Sequence, residues 1–578
     1  MSKNYEQKRM TRLVHRLPTI QSLREAPARR GLFSLGLFLF GSGLVAQQPA
    51  VAPAKNCTIE GLVVKAQTGE PLKRAWVGLR KVEGRPSPAS TITDASGRFL
   101  LKDIEPGQYR LWAERSGYVP QEYGERGHNP VGTTLTLESG QHLRDIVFRL
   151  LPTSAISGRI YGEDNEHVAG VRVQALRKSY VRDQQQLVLA GAAVTNDLGE
   201  YRLYGLSPGR YYISASYTPR PTAFGLAGIR EAGAEGGYAP TYYPGTNSPG
   251  RAAAIELRAG EDVRGIDLAL LLGRTIGIRG QVFDALSGRP GRGATLSLVP
   301  AESGVGGVLF RNQTIVEDAR GSFEIRAVAP GSYILSANWF DGGKSYATRQ
   351  ILDVGTSDLD GVNLALAPGV DVPGRIRLEG GTQLKFAGLR VLLQPRNGSI
   401  TDGAGALVQS DGTFVLMNVV DEDYDLFVVG APENFYLKVA RLDGNDVLDS
   451  GFSLRRSHAA GTLELALSPA GGHIEGIVLN KQREAFGGAL VVLIPEPSQR
   501  GQVRLYKMTT TDQYGRFSLP GIPPGDYRLF AWEEIEPGAY QDADFLPPYE
   551  KRGETVPVVE ASRYSVELKL IRANERPQ

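Results

Sequence analysis

The chain has 578 residues, with 65 Lys and Arg against 62 Asp and Glu and a formal net charge of +3. Charge this close to balance gives no electrostatic reason to expect a nucleic-acid partner. A hydrophobic content of 41% excludes a disordered chain, and a single cysteine excludes both a disulfide framework and a zinc ribbon. Gly and Pro make up ~18% of the residues against ~12% in an average protein, which predicts short strands joined by many turns. The length is sufficient for several domains.

The N-terminal segment has the pattern of an export signal. Residues 1–30 are polar and basic, residues 31–45 are mostly apolar, and the small residue Ala46 follows. A basic region, a short apolar region and a small residue are typical of a secretory signal peptide, here residues 1–46. The alternative is an uncleaved N-terminal anchor, although a spanning helix usually needs about 20 apolar residues. We expect an exported chain that is periplasmic, on the outer surface or extracellular, with no membrane insertion beyond this segment.

One motif recurs five times along the rest of the chain. In its first copy, Asp94, Gly97 and Phe99 are followed by Gly107 and Tyr109. The four clean copies keep the same spacing between the two glycines, and apolar residues alternate after the tyrosine. Such alternation is typical of a half-buried strand, so each motif predicts a strand, a Pro-Gly turn and a second strand. The copies begin at Asp94, Asn196, Asp318, Asp411 and Asp512, and the fourth has Glu422 in place of the second glycine but keeps Tyr424.

Further strands surround each motif. A strand with one glycine precedes every copy, and a strand of alternating apolar residues closes every unit. About seven short strands in roughly 100 residues is typical of a β-sandwich. We therefore predict an all-β fold of five tandem antiparallel β-sandwich domains, Ig-like or transthyretin-like, after the signal peptide. We name them modules 1 to 5: residues 57–151, 154–272 (with a long loop rich in Tyr, Pro and Gly), 275–368, 371–468 (with the degraded motif) and 472–572.

The glycine-marked first strand and the two turns of the motif resemble those of carboxypeptidase regulatory-like domains. The resemblance implies a transthyretin-like sandwich, grouped with carbohydrate-binding-like folds, and a bacterial source. Asn196 in the second copy and Glu422 in the fourth depart from the pattern. Members of this family occur beside zinc carboxypeptidases, in bacterial surface proteins and ahead of outer-membrane transport barrels. The resemblance therefore predicts the fold and not the activity.

The sequence offers little catalytic chemistry. No histidine begins the His-x-x-Glu pattern of a zinc peptidase, and the nearest match, His142 with Asp145, enters a predicted strand. Cys57 has no histidine nearby. Ser207 lies in an esterase-like Gly-x-Ser-x-Gly, but Pro208 follows it and lacks the N–H that an oxyanion hole needs. We predict no enzymatic activity, no metal and no cofactor.

The first residue of the motif has two interpretations. Asp94, Asp318 and Asp512 could be calcium ligands, or they could form Asx-turns with their own backbone. Asn196 at the same position favours the Asx-turn, because an amide oxygen serves it as well as a carboxylate does. We predict that the repeated Phe and Tyr side chains belong to the core.

Aromatic loops that differ between modules are the candidate ligand sites. Proline-stiffened, tyrosine-rich loops suit stacking on sugars or gripping a peptide. The alternative is that these loops fold back over an open sheet edge and bury their own rings. Exposed rings would favour the first interpretation and buried rings the second. The candidate residues are Tyr118, Tyr123 and Trp112 in module 1, Tyr238, Tyr242 and Tyr243 in module 2, and Trp532 and Tyr549 in module 5.

Two functional hypotheses follow. The first is an exported, non-catalytic binding or adhesion protein of the bacterial cell envelope, with carbohydrate or another envelope protein as its partner. The second is a structural spacer or scaffold that binds no small ligand.

Overall fold

The computed structural model describes residues 56–82, 89–125, 131–181, 184–217, 237–273, 276–301, 312–328, 330–380, 386–396, 404–454 and 461–573. These residues fall in one compact unit, Ala54–Gln578. The predicted signal peptide lies outside the described residues. Strands dominate, and the helices are short 3₁₀ turns, so the predicted all-β fold is confirmed. In the described ranges, no helix has the length and apolar character needed to cross a membrane.

Module 1 consists of two facing sheets. One has the order β4-β1-β8, and the other has the order β3-β2-β5-β6 with β7 also paired to β5. The strands are β1 (Cys57–Lys65), β2 (Trp76–Lys81), β3 (Ala89–Ile92), β4 (Arg98–Ile104), β5 (Gly107–Glu114), β6 (Gln121–Glu122), β7 (Leu135–Leu137) and β8 (His142–Leu150).

Module 2 repeats this arrangement with a longer hairpin. Its sheets are β12-β9-β17, with β18 also on β9, and β11-β10-β13-β15, with β16 also on β13, while β14 pairs with β19. The strands are β9 (Ser154–Tyr161), β10 (Arg172–Val181), β11 (Gln184–Val194), β12 (Glu200–Leu206), β13 (Gly209–Ser216), β14 (Gly237–Tyr238), β15 (Thr241–Tyr242), β16 (Ile255–Leu257), β17 (Asp262–Val263), β18 (Leu268–Ala269) and β19 (Leu272–Gly273), with a 3₁₀ turn at Pro249–Arg251.

Module 3 differs because its strands form one continuous path, β22-β21-β24-β25-β26-β20-β23. The long strand β25 pairs with β24 over its whole length and then with the end of β26, so it joins what are two sheets elsewhere. The strands are β20 (Ile276–Asp284), β21 (Thr295–Pro300), β22 (Asn312–Ile315), β23 (Ser322–Val328), β24 (Gly331–Asp341), β25 (Lys344–Val354) and β26 (Leu359–Pro368).

Modules 4 and 5 return to two sheets: β30-β27-β35-β32-β33 with β29-β28-β31-β34, and β39-β36-β42 with β38-β37-β40-β41. The strands of module 4 are β27 (Val370–Leu378), β28 (Arg390–Pro395), β29 (Ala404–Leu407), β30 (Thr413–Val419), β31 (Asp423–Val429), β32 (Tyr436–Leu442), β33 (Asn445–Asp446), β34 (Phe452–Ser453) and β35 (Leu463–Ser468). Those of module 5 are β36 (Gly472–Leu479), β37 (Leu490–Pro495), β38 (Lys507–Thr510), β39 (Arg516–Ile522), β40 (Gly525–Trp532), β41 (Glu554–Val558) and β42 (Arg563–Lys569), with 3₁₀ turns at Pro497–Gln499, Val503–Leu505, Ala539–Gln541 and Pro547–Arg552.

The first strand of each module has one antiparallel and one parallel neighbour. In module 1, β1 pairs antiparallel with β4 of the motif and parallel with the closing strand β8. The same parallel pair recurs in the other modules, so each sandwich departs in one place from the purely antiparallel pairing that the sequence predicts. A separate buried cluster lies in each of the five modules. The domain bounds themselves stay a prediction.

Close packing explains the glycine of the first strand. Gly476 lies between the closing strand and the motif aromatic, and a Cβ there would overlap the carbonyl oxygen of Val566 and come within 2.9 Å of the Phe517 ring. Module 2 has a tyrosine instead, and the hydroxyl of Tyr201 donates to the carbonyl of Ile266 at 2.6 Å. The repeated glycine and the repeated aromatic are therefore partners in one contact.

The two turns of the motif behave as predicted. Oδ1 of Asp94 accepts hydrogen bonds from the backbone N–H groups of Ser96 and Arg98 at 2.8 and 2.9 Å, and Oδ1 of Asn196 does the same in module 2. These contacts confirm the Asx-turn. After the Pro-Gly turn, the buried ring of Tyr527 donates its hydroxyl to the carbonyl of Pro523 at 2.9 Å. Equivalent hydrogen bonds join Tyr109 to Glu105, Tyr211 to Ser207 and Tyr424 to Val420.

Module 5 contacts module 4, its neighbour in sequence, and it also contacts modules 1 and 2. The Gln513 side chain bonds both backbone groups of Thr136 in module 1, as donor to the carbonyl at 2.8 Å and as acceptor from the N–H at 3.1 Å. The hydroxyl of Thr510 donates to the carbonyl of Gly132 at 2.7 Å. Further contacts join module 5 to Tyr180 in module 2 and to Tyr436 in module 4.

Candidate functional site

The aromatic loops lie along sheet edges. In module 1, β6 pairs with β5 through Trp112 and Glu122. In module 2, β15 pairs with β13 through Ser214 and Tyr242. Each loop thus adds a short strand to a sheet edge and satisfies its backbone hydrogen bonds. This arrangement matches the alternative interpretation, in which the loops cover the edge.

The three tyrosines of module 2 pack inward. Tyr242 is 5% exposed and forms a small buried cluster with Leu176 and Tyr212. Tyr238 and Tyr243 are half-buried against the module 2 core. The Tyr238 ring also meets the Tyr217 ring edge-on, with centroids 6.1 Å apart. Burial raises the pKa of the Tyr242 hydroxyl.

The candidates of module 1 are half-buried. Tyr118 and Tyr123 pack against the module 1 core, and the Tyr123 ring meets Phe148 edge-on at 6.0 Å between centroids. On the outer face of the same module, the rings of Trp112 and Trp76 lie 5.3 Å apart.

In module 5 the two candidates are buried in an aromatic cluster. Trp532 is 1% exposed and stacks on Phe530, with ring centroids 4.9 Å apart. Tyr549 is 9% exposed and contacts both Trp532 and Phe545. Neighbouring side chains cover the rings of Tyr242, Trp532 and Tyr549, and this burial favours the interpretation in which the loops bury their own rings. A ligand role for the eight predicted residues stays a prediction.

A cleft of about 950 Å³ lies where modules 1, 2 and 5 meet, and we call it the three-module cleft. Of the eight predicted residues, only Trp532 and Tyr549 line it. The other aromatic lining residues are Tyr180, Tyr212 and Phe545. A smaller cleft of about 530 Å³ between modules 1 and 5 includes Tyr123.

Local structure positions each wall of the three-module cleft. The hairpin of β10 and β11 extends Tyr180 toward module 5, where its backbone N–H donates to the carbonyl of Pro537 at 3.4 Å. Gly538, with a φ of 79°, makes this approach possible, because a Cβ there would overlap the Tyr180 carbonyl. The 3₁₀ turn Pro547–Arg552 then places Tyr549 on the opposite wall, next to Phe545.

Charged side chains surround the aromatic surface. Basic residues line the cleft at Arg149, Arg177, Lys178, Arg210 and Arg572, and acidic residues at Glu125, Glu534 and Glu536. Nζ of Lys178 lies 5.5 Å from the centroid of the Tyr212 ring, within cation–π range. Burial raises the pKa of the Glu125 carboxyl.

The lining of the cleft offers aromatic rings and charged groups as contacts. The cleft has rings and charges but neither histidine nor cysteine among its described lining residues. In the described ranges, no three His, Cys, Asp or Glu side chains are grouped so that they could hold a metal ion. Ser207 and Pro208 line the cleft as part of the Pro-Gly turn, where the Ser207 carbonyl accepts the hydrogen bond from Tyr211.

Sequence reasoning missed most of the cleft. Tyr180, Tyr212 and Phe545 have no shared motif, and more than 300 positions separate the module 2 wall from the module 5 wall. One position of the repeated motif did distinguish module 5 from the modules before it. The residue after the Asx position is Ala95, Asp197 and Ala319 in modules 1 to 3, but Gln513 in module 5, where it makes the contact with module 1.

Comparisons with known proteins agree with the predicted family at module 1. The model of the carboxypeptidase regulatory-like domain matches residues 58–150, which confirms the predicted resemblance there. No curated protein is similar in sequence to this chain.

The solved structures that are similar to this chain include several pilins. The Bacillus anthracis TIE protein is 12% identical, with 68% of each chain covered and a TM-score of 0.15. A streptococcal ancillary pilin is 13% identical, with 54% of this chain and 99% of the pilin covered and a TM-score of 0.17. BcpA, the major pilin subunit of Bacillus cereus, is 12% identical, with the same coverage and a TM-score of 0.14. Likeness at these values does not extend to function.

Proposed function

We propose that the chain is an exported, non-catalytic binding or adhesion protein of the bacterial cell envelope, with carbohydrate or another surface protein as its ligand. The three-module cleft is the observation that carries this proposal. Its volume of about 950 Å³ is at the upper end of the range for ligand sites, and its lining combines rings with a few charged groups. The basic and apolar N-terminal pattern supports export.

The contacts of module 5 also support a binding role. An extended spacer needs contacts only between successive modules. Here Gln513 and Thr510 connect module 5 to module 1, and Pro537 connects it to module 2. These contacts enclose a cleft whose lining residues come from modules 1, 2 and 5.

The second candidate is a structural scaffold that binds no small ligand. The burial of Tyr242, Trp532 and Tyr549 favours it, since these rings contribute to packing whether or not a ligand is present. The two candidate functions make different predictions for the half-buried rings of the cleft: a binding protein needs them for its ligand, and a scaffold does not.

A binding screen of the exported chain against soluble glycans and envelope extracts separates the candidates. The informative variant is Tyr180→Ala/Phe545→Ala, which removes two half-buried rings from the cleft. The matched control is Tyr204→Ala, because the Tyr204 ring is 79% exposed and lies outside the cleft. A binding role predicts that the double variant loses binding while the control keeps it. If the folded wild-type chain binds nothing, the scaffold is the better interpretation.

Export itself is tested by fractionating cells that produce a C-terminally tagged chain. We expect the tag in the periplasmic, surface or culture fraction, and removal of residues 1–46 should retain it in the cytoplasm. A full-length chain that stays in the cytoplasm would contradict this part of the proposal.

A further inference from the structure

The charge of the three-module cleft narrows the class of ligand, provided that the proposed binding function holds. Five basic side chains line it against three acidic ones. Arg210 pairs with Glu256, at 3.0 Å between nitrogen and oxygen. Within the described ranges, Arg149, Lys178 and Arg572 form no ion pair with a carboxylate. The lining therefore has more basic than acidic side chains, and three of the basic ones are in no ion pair within the described ranges.

One of the opposing carboxylates, that of Glu125, already has a hydrogen-bond partner within the protein. Glu125 is partly buried, its carboxylate accepts the backbone N–H of Glu122 at 2.8 Å, and burial raises its pKa. The Glu536 side chain is exposed to solvent, as are those of Arg149 and Lys178, so water and salt screen all three charges. Even with Glu256 counted beside Arg210, five basic side chains face four acidic ones, so an anion in the cleft meets a net attraction.

The rings provide the second part of the recognition surface. Tyr180 and Phe545 are half-buried lining residues, so part of each ring remains accessible. Flat apolar faces suit the C–H faces of a pyranose ring, and a cation above a ring, as Lys178 is above Tyr212, places charge beside such a surface.

A buried donor adds a third observation. Trp532 lines the cleft and is 1% exposed, and its indole N–H has no hydrogen-bond partner in the described ranges. A buried donor without an acceptor is costly, and an oxygen-rich ligand would gain this hydrogen bond when Phe545 or Tyr549, which lie against the ring, moves aside.

We propose that the three-module cleft binds a short acidic oligosaccharide, with carboxylate groups at the basic side chains and sugar rings against Tyr180 and Phe545. An acidic peptide would also be attracted by the charge. The rings and cations come from three modules rather than from one unpaired strand edge, and this arrangement favours a carbohydrate over an extended peptide.

The test is calorimetric titration of the exported chain with tetragalacturonate and with its carboxyl-reduced neutral counterpart. We expect the acidic tetramer to bind about tenfold more tightly, and the difference to shrink between about 0.05 M and about 0.5 M salt. The variant Arg149→Gln/Lys178→Gln should lose that difference and keep its affinity for the neutral tetramer. Both side chains are exposed, so folding should be unaffected. The control is Arg292→Gln, an exposed cation of module 3 that lies outside the cleft.

The outcomes separate this inference from the proposed function. Equal affinity for the acidic and neutral tetramers overturns the inference and leaves a carbohydrate-binding function standing. A preference for the acidic tetramer that the double variant retains also overturns it, because the charge would then be recognised elsewhere. Binding of a poly-glutamate peptide without binding of either tetramer overturns the inference in favour of a protein ligand. Binding of no probe, in a chain that also fails the glycan and envelope-extract screen, contradicts both.

Discussion

Single residues of the repeated motif are constrained by one shared contact. The glycine of the first strand faces the aromatic of the motif across β36 and β39, where Gly476 is opposite Phe517. The carbonyl of Val566 closes the remaining space. Any side chain at this position must displace either a backbone strand or a core ring, and well-packed interiors tolerate neither displacement cheaply.

Gly476→Ala should therefore destabilise module 5 by about 1–3 kcal/mol, the usual range for overpacking. Gly501→Ala is the matched control, because a Cβ at Gly501 would meet no atom within 4 Å. Denaturant unfolding followed by the tryptophan fluorescence of the chain, to which Trp532 of module 5 contributes, measures both variants. Equal stability of the two variants would show that the closing strand can move away from residue 476 without a loss of stability.

The Asx-turn at Asp94 makes the stability of the folded chain depend on pH. Hydrogen bonds from the backbone of Arg98 and from Ser96 lower the pKa of the Asp94 carboxyl. The folded pKa is below the unfolded value of about 3.9, so this stabilisation is present above about pH 4 and is lost as the pH falls through the folded pKa. Asp94→Asn keeps an acceptor oxygen, as Asn196 does in module 2, but cannot be protonated in this range.

We expect Asp94→Asn to lose less thermal stability than the wild type when the pH falls from about 6 to about 3. Differential scanning calorimetry at both pH values measures the change. Asp526→Asn is the control, because its exposed carboxylate makes no hydrogen bond within the described part of the chain. If the Asp94→Asn variant loses as much thermal stability as the wild type over this pH range, the stabilising role of the Asp94 carboxylate is contradicted.

Among the elements, the short strands β6 and β15 are edge covers. Each pairs with the last hairpin strand of its module, and the aromatic residues in and around them pack inward. Covering an open edge prevents pairing with other chains. The tyrosines of these loops thus contribute to stability. The same residues are the ones that the sequence predicted as candidate ligand sites.

Tyr242→Ala should destabilise module 2 by about 3 kcal/mol, because it removes a buried ring from the cluster with Leu176 and Tyr212. Tyr204→Ala should change stability by less than about 0.5 kcal/mol, because that ring is 79% exposed. Thermal unfolding compares the two variants. A stable Tyr242→Ala variant that has lost a glycan ligand would instead support the ligand interpretation.

The elements that the sequence predicted are those fixed by local pattern. The Asx-turn at Asp94 needs only its own backbone, and the strand after Tyr109 follows from alternation. The exposure of Trp532 was not predictable in the same way. It depends on Phe545 and Tyr549, which return over it from a loop without a repeat.

In the molecule as a whole, the contact between modules 1 and 5 determines whether the three-module cleft exists. The Gln513 side chain joins the two modules through both backbone groups of Thr136. Nothing in the repeat requires this contact, since other copies have Ala95 or Ala319 at the equivalent position. The predicted module bounds rest on local periodicity, whereas the contact between modules 1 and 5 depends on single residues far apart in sequence.

Gln513→Ala should weaken this contact and raise the hydrogen-exchange rate of the Thr136 amide about five- to tenfold, the effect of losing about 1 kcal/mol of protection. Gln482→Ala is the control, because Gln482 is an exposed residue of the same module. Mass-spectrometric exchange on peptides that cover residues 131–141 and 507–516 measures the effect. Unchanged exchange would mean that Thr510 and its neighbours hold the contact without Gln513.

The parallel pair in each sandwich has a mechanical consequence. In module 1 the ladder runs from Thr58 opposite His142 to Lys65 opposite Leu150, so the chain enters at one end of the pair and leaves at the other. Tension along the chain then pulls the two strands past each other, and their hydrogen bonds must fail together rather than one after another. Module 5 has the same geometry between β36 and β42. A pull on the two ends of the chain therefore loads this strand pair in shear in both modules.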